Sequence, residues 1–231
     1  MRKLGLIGGM SWISTHRYYN TISSIVRRRV DSRAAPHMAI ESLDFSGIYR
    51  LNSDEEWAKA AEMVGDAAQR LADGGAEMIV IGANGLHKIL PQVSDRMDAE
   101  FLHIAQCVGR KMADDGVKRA AVLGTRSVMT ESFYRRQLVS HGIDLLPPDM
   151  DQVGQLDAII HDELMAGKTT RDAERALRTM MHDCGREGAE AVVLANAELE
   201  MIVDVDATVM PVYDAMDVHA HAAADWLVGE G

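Results

Sequence analysis

Two short segments hold most of the residues whose types and spacing could do chemistry. His87 lies in Ile81-Gly82-Ala83-Asn84-Gly85-Leu86-His87-Lys88, and Glu198 lies in Leu194-Ala195-Asn196-Ala197-Glu198-Leu199-Glu200. A histidine titrates near neutral pH, and burial brings a carboxyl toward the same range. The two could therefore act as an opposed acid and base in a proton transfer. The plainer readings are a hydrogen bond by which His87 braces its turn and a cap by which Glu198 starts the next helix. Asn84 and Asn196 could orient a carboxylate or an enediolate-like oxygen through their amides. A left-handed turn, which asparagine tolerates, is the alternative for both. Ala83, Gly85 and Ala197 complete the two turns and count with the asparagines as candidate binding positions.

The elements that must position these residues are repeated. Each turn follows a short apolar run of strand type, at 76–80 and 189–194, and each run opens with Gly-Ala-Glu, at Gly75 and Gly188. A second pair of strand ends matches in the same way: 4–7 followed by Gly8-Gly9, and 119–123 followed by Gly124-Thr125. Ligands of open α/β sheets bind at the carboxyl ends of strands. Met10, Ser11, Thr125 and Ser127 stand at these further ends, and the last three offer hydroxyl donors. Arg50 or Arg126 could pair with a carboxylate, although a solvated surface arginine is the simpler reading of each. Gly5, Gly8 and Gly9 do not match G-x-G-x-x-G, and the stretch about twenty residues on is basic, at Arg27-Arg28-Arg29. The first turn is accordingly read as a structural turn or a small-carboxylate cradle rather than a dinucleotide site.

Strand and helix signals alternate along the chain, which favours parallel sheets with crossover helices. Strands are expected at 4–7, 38–43, 78–81, 101–104 and 119–123, a strand end at 145–148, and a last strand at 191–194. Helices are expected from Ser14-Thr15 toward 30, over 53–72 with Ser53 and Glu56 as a capping box, after the 101–104 strand to 114, from Thr130, over 152–165 and 170–187, and over 212–227. The fold class is α/β, with two pseudo-symmetric Rossmann-like α/β units, each built on a mostly parallel sheet, facing a shared cleft. Residues 1–99 with 208–231 would form the first unit and 100–207 the second.

Composition narrows the function. The net charge of −11 makes a nucleic-acid partner an unpromising reading. Two cysteines, Cys107 and Cys184, sit in helical segments, so neither a disulfide framework nor a zinc site is expected. His219, His221, Asp214 and Asp217 cluster near the C-terminus but fall on different faces of one helix, so no metal site is expected there. The apolar stretch after Met1-Arg2-Lys3 stops at Gly8, too short for a signal-peptide core, and no run approaches a membrane span. No membrane partner is expected; a cytoplasmic location and a homodimer are.

Several motifs carry a resemblance across nearly the whole chain. Leu6-Ile7-Gly8-Gly9-Met10-Ser11-Trp12 with Ser14-Thr15 and Tyr18-Tyr19 resembles the opening of the aspartate/glutamate racemase family. Leu123-Gly124-Thr125 with Met129 and Phe133-Tyr134 is similar to it too, as are the Asn84-Gly85-Leu86-His87-Lys88 and Ala195-Asn196-Ala197-Glu198-Leu199 turns. The resemblance implies two pseudo-symmetric α/β domains and cofactor-independent chemistry. It also implies one cysteine per domain, a thiolate removing the substrate Cα proton and a thiol returning it from the far face. Here Ala83 and Asn196 stand at the two cysteine positions, Gly85 and Ala197 replace the threonines that follow, and Met165 falls where a carboxylate-holding lysine is common. Cys107 and Cys184 lie away from the strand ends and read as buried small apolar residues.

The expectation is an enzyme of this family that needs no cofactor and isomerises a small carboxylate, or performs related proton transfer on it, without the two-cysteine mechanism. A lyase or decarboxylase on the same scaffold and a ligand-binding descendant without catalysis are the alternatives.

Overall fold

The computed structural model describes residues 1–48, 50–203, 208 and 210–229. Packing divides the chain into two units, Met1–His103 with His219–Gly231, and Ile104–Val218. Residue 207, where the second unit was expected to end, lies outside the described residues.

The first unit is built on β1 (Leu4–Gly8), β2 (Met38–Ser42), β3 (Met78–Ile81) and β4 (Glu100–Leu102), joined by α1 (Trp12–Arg29), α2 (Asp54–Asp73), a short 3-10 helix (Gly85–Ile89) and α3 (Leu90–Ser94). The strands are parallel in the order β2-β1-β3-β4. β1 and β3 are buried at every position, which is why they read as unbroken apolar runs. One core of this unit gathers Ile7, Ile79 and Ile81 against Val64, Ala68 and Leu71 of α2. The expected capping box forms: Ser53 Oγ accepts from Glu56 N at 3.2 Å, and Glu56 Oε2 accepts from Ser53 N at 2.9 Å.

The second unit repeats the plan. It holds α4 (Ile104–Asp114), β5 (Arg119–Gly124), α5 (Arg126–Thr130), α6 (Ser132–Ser140), β6 (Asp144–Leu145), α7 (Met150–Asp162), α8 (Arg171–Arg186), β7 (Ala191–Ala195) and β8 (Val212–Asp214). Its parallel order, β6-β5-β7-β8, is the order of the first sheet. Alternate residues of β7 serve opposite faces. Val192 and Leu194 meet Leu156, Leu177 and Met180, while Ala191 and Val193 meet Val108, Met112 and Leu138. α9 (Ala215–Val228) begins in this unit, and from His219 onward it packs with the first.

The repeated Gly-Ala-Glu has a structural cause. Gly75 and Gly188 leave α2 and α8 with φ of 84° and 93°, a region that costs other residues strain. Ala76 N then donates to Leu71 O, and Ala189 N to Cys184 O. Glu77 N donates to Lys3 O at 2.9 Å and Glu190 N to Arg119 O at 2.8 Å, while their carboxylates accept from Lys3 N and Lys118 N. Each motif thus ends a helix and pins the entry of a central strand beside its neighbour.

Three expectations need correction. The strands do not end at 191–194, because Val212–Asp214 pairs with β7 as β8, and the last helix starts at Ala215 rather than 212. Three residues after Pro211 are too few to show alternation. The strand at 101–104 is Glu100–Leu102, since Ile104 already opens α4.

Candidate functional site

In the first unit the parallel register sets Ile7 opposite Ile81, so the turns after β1 and β3 leave the same edge of the sheet. The first of them is tightly packed. Gly9 has φ of +95°, and a Cβ there would lie 2.1 Å from the Leu43 carbonyl oxygen. Gly9 N donates to Thr15 Oγ1 at 3.0 Å, and Thr15 Oγ1 donates to Ser11 O at 3.0 Å. Ser11, not Ser14 or Thr15, caps α1, accepting from Ser14 N. Ser14 is instead buried and donates to the Gly82 carbonyl at 2.7 Å. Met10 packs against the core of the unit.

The second turn carries Ala83, Asn84 and Gly85. Asn84 is right-handed helical (φ −55°, ψ −47°), so the left-handed alternative does not occur. Asn84 is buried, and its side-chain oxygen has no hydrogen-bond partner among the described residues. His87 follows in the 3-10 helix, 1% exposed. Its Nε2 lies 3.3 Å from the Ile81 carbonyl, and its Nδ1 has no hydrogen-bond partner among the described residues. A carbonyl can only accept, so Nε2 carries the proton and Nδ1 a bare lone pair. Burial, then the nearby His103 and His219, push the His87 pKa well below its ordinary 6.5. The ring is neutral and an acceptor at physiological pH.

In the second unit Leu123 pairs with Leu194 and Gly124 with Ala195, which again brings two turns to one sheet edge. Thr125 Oγ1 and Ser127 Oγ lie 3.4 Å apart at the start of α5, both half-buried. Arg126 is exposed, and its backbone N–H donates to Asp157 at 2.7 Å. Asn196 is extended (φ −155°, ψ 128°), and its Oδ1 accepts from Glu198 N at 3.2 Å. Asn196 therefore caps the 3-10 helix Ala197–Ile202, a task the alternative reading had given to Glu198. Glu198 is 3% exposed, and among the described residues its Oε1 has no hydrogen-bond partner. Ala197 is buried beside it. Met165 packs against the core of this unit.

Both cysteines lie in helices, Cys107 in α4 and Cys184 in α8, and burial pushes their thiols up to about 12 and about 11. His219 departs from the polar cluster in which the sequence reading put it. It is fully buried, with Tyr18 Oη 2.7 Å from Nδ1 and the Leu102 carbonyl 3.0 Å from Nε2. Its neighbours on the helix could have shown this, since Ala215, Met216, Ala220, Ala223, Ala224 and Leu227 mark one buried stripe that includes position 219. Among the described residues no three His, Cys, Asp or Glu side chains are arranged to hold a metal ion, and no helix is long and apolar enough to cross a membrane.

Comparison with known proteins bears on the family and the fold. The family model Asp/Glu/Hydantoin racemase matches residues 7–223. The broad specificity amino-acid racemase RacX of Bacillus subtilis (strain 168) is 22% identical over 217 residues, 92% of each chain. A crystal structure of a candidate Asp/Glu racemase from Yersinia pestis superposes with a TM-score of 0.90 at 32% identity, covering 99% of this chain and 100% of that one. An aspartate racemase homologue from Pyrococcus horikoshii OT3 gives 0.83 at 27% identity over 99% and 100%.

Proposed function

The chain belongs to the Asp/Glu/Hydantoin racemase family, and from that premise we propose that it moves a proton on a small amino-acid carboxylate without a pair of thiols and without a cofactor. The observation that carries the reading is the buried Glu198, two residues past Asn196 after β7, whose Oε1 has no hydrogen-bond partner among the described residues. A carboxyl oxygen held out of water without a hydrogen bond is costly, and a functional site is where such a cost is tolerated. Glu198 is the group proposed to exchange the proton. His87 is proposed as the second group, as a neutral acceptor, because its N–H is spent on the Ile81 carbonyl.

The remaining strand-end residues hold the substrate in this reading. Ser11, Thr125 and Ser127 offer hydroxyl donors and Asn84 and Asn196 offer amides, while Met10, Ala83, Gly85 and Ala197 give the ligand small or apolar walls. Ala83 and Asn196 have no proton to exchange near neutral pH, which is why the two-thiol route is set aside. The proposal extends to a cytoplasmic homodimer, tested by fractionation and sedimentation; the two free thiols suit a reducing compartment.

The test is solvent-deuterium exchange at Cα over a panel of small amino and hydroxy carboxylates that includes both enantiomers of aspartate and glutamate. The wild-type protein should exchange at least one of them. Glu198→Gln and His87→Ala should each slow exchange by about 100-fold or more while the protein stays folded. Ligands that bind and never exchange would refute the enzymatic reading and leave a binding protein.

A further inference from the structure

The proposed reaction leaves several buried polar side chains of the first unit without a task. Tyr18, from α1, and His219, from α9, are both fully buried, and His103 follows the last residue of β4. The Leu102 carbonyl, 3.0 Å from His219 Nε2, can only accept, so Nε2 carries the ring proton. Nδ1 must then accept, and the Tyr18 hydroxyl 2.7 Å away must donate to it. The bond directions are fixed along one line: Tyr18 to His219, His219 to Leu102.

His87 repeats the arrangement on the next strand. Its Nε2–H faces the Ile81 carbonyl. Val80 is opposite Leu102 in the sheet, so the two imidazoles grip adjacent strands within a residue of each other, where the turn bearing Asn84 begins. The rings also touch: His87 lies 5.6 Å from His219 and 4.7 Å from His103, centroid to centroid. A leucine or phenylalanine would fill this space without two directed bonds, so filling alone does not account for the residue types.

We propose that Tyr18 and His219 are positioning residues for the reaction proposed above: through the Leu102 carbonyl and the His87 ring they hold the turn 82–85, and with it Asn84, where a ligand meets it. The proposal rests on that functional reading for its kinetic consequence, but not for its structural one. Burial keeps the device in its working state, holding His219 near 3 and His103 near 4 so that the rings stay neutral.

The experiment has an arm that needs no substrate. Imidazole nitrogen NMR of the wild-type protein should find His219 protonated on Nε2 and bare on Nδ1; the opposite tautomer would overturn the proposal. Tyr18→Phe should raise amide hydrogen exchange at residues 82–86 by about fivefold or more, the scale of one lost hydrogen bond, and leave residues 191–195 of the second unit unchanged. Unchanged exchange at 82–86 counts against it. The kinetic arm uses whichever carboxylate the wild-type protein exchanges. A merely structural loss removes active protein and lowers kcat alone, whereas a misplaced Asn84 raises KM, here by about fivefold. His219→Gln keeps an acceptor for Tyr18 and a donor for Leu102 and should hold KM within about twofold of wild type. His219→Leu, which keeps neither, should behave like Tyr18→Phe or worse. A Gln variant no better than Leu would overturn the idea. If no carboxylate is exchanged, the functional reading fails while the NMR and amide-exchange results still decide the positioning.

Discussion

Ser14 Oγ donates to the Gly82 carbonyl at 2.7 Å, which ties the first turn of α1 to the turn that carries Ala83 and Asn84. Gly82 is held from its other side as well, its N–H donating to Ile7 O at 2.8 Å. Ser14→Ala removes the donor and leaves a carbonyl short of a partner. The variant should lose about 1–3 kcal/mol in urea unfolding, and a loss below about 0.5 kcal/mol would show that water replaces the hydroxyl.

Gly9→Ala should be more damaging. The alanine would need a φ near +95°, and its methyl carbon would stand 2.1 Å from Leu43 O. A loss of about 3 kcal/mol or more is expected from strain and overlap together. Equilibrium unfolding reads it, and a variant as stable as the parent would mean that the turn can be rebuilt.

The buried imidazoles make stability depend on pH with a definite sign. In the unfolded chain they titrate near 6.5; in the fold burial pushes His103 down to about 4, His219 down to about 3, and His87 well below its usual value. The unfolded state therefore binds more protons. The stabilisation is complete above pH 6.5 and drains away as the pH falls from there toward 4 and 3. Each ring adds a slope of up to about 1.4 kcal/mol per pH unit in that window. Urea midpoints measured from pH 7.5 to 4.5 should fall steadily, and less steeply in His219→Gln. A flat profile would contradict the burial of neutral rings.

Thiol chemistry offers an independent check. With Cys107 pushed up to about 12 and Cys184 to about 11, the thiolate that reacts is scarce at neutral pH. Iodoacetamide at pH 7.5 should label neither residue in the folded protein and both in urea, as counted by mass. Rapid labelling of the native protein would place a thiol in reach of solvent.

Much of the fold could be read from the chain because parallel strands buried on both faces leave continuous apolar runs, and β1, β3, β5 and β7 are such runs. The repeated Gly-Ala-Glu was legible for a local reason, since a helix exit, a left-handed glycine and a strand entry must occur together. β8 was not legible, being three residues long and defined by its partner β7. Helix starts were misplaced where several hydroxyls compete. Thr130 was expected to cap a helix; its hydroxyl instead donates to Arg126 O at 2.8 Å inside α5, and α6 starts after Glu131. At the site, the residue types at 84, 87 and 198 drew notice through position alone. That Asn196 and not Glu198 supplies the capping oxygen depends on backbone angles no residue type announces. Tyr18 and His219 were missed as a pair because 201 positions separate them.

The division of the chain also bears on its birth at the ribosome. Residues 104–218 are contiguous and can complete their unit as soon as they emerge, whereas the first unit needs residues 1–103 and the part of α9 from His219 onward, which follows the second unit in the chain. Until His219 is synthesised, the Tyr18 hydroxyl and the Leu102 carbonyl have no imidazole to join. Translation therefore finishes the second unit before the first can close.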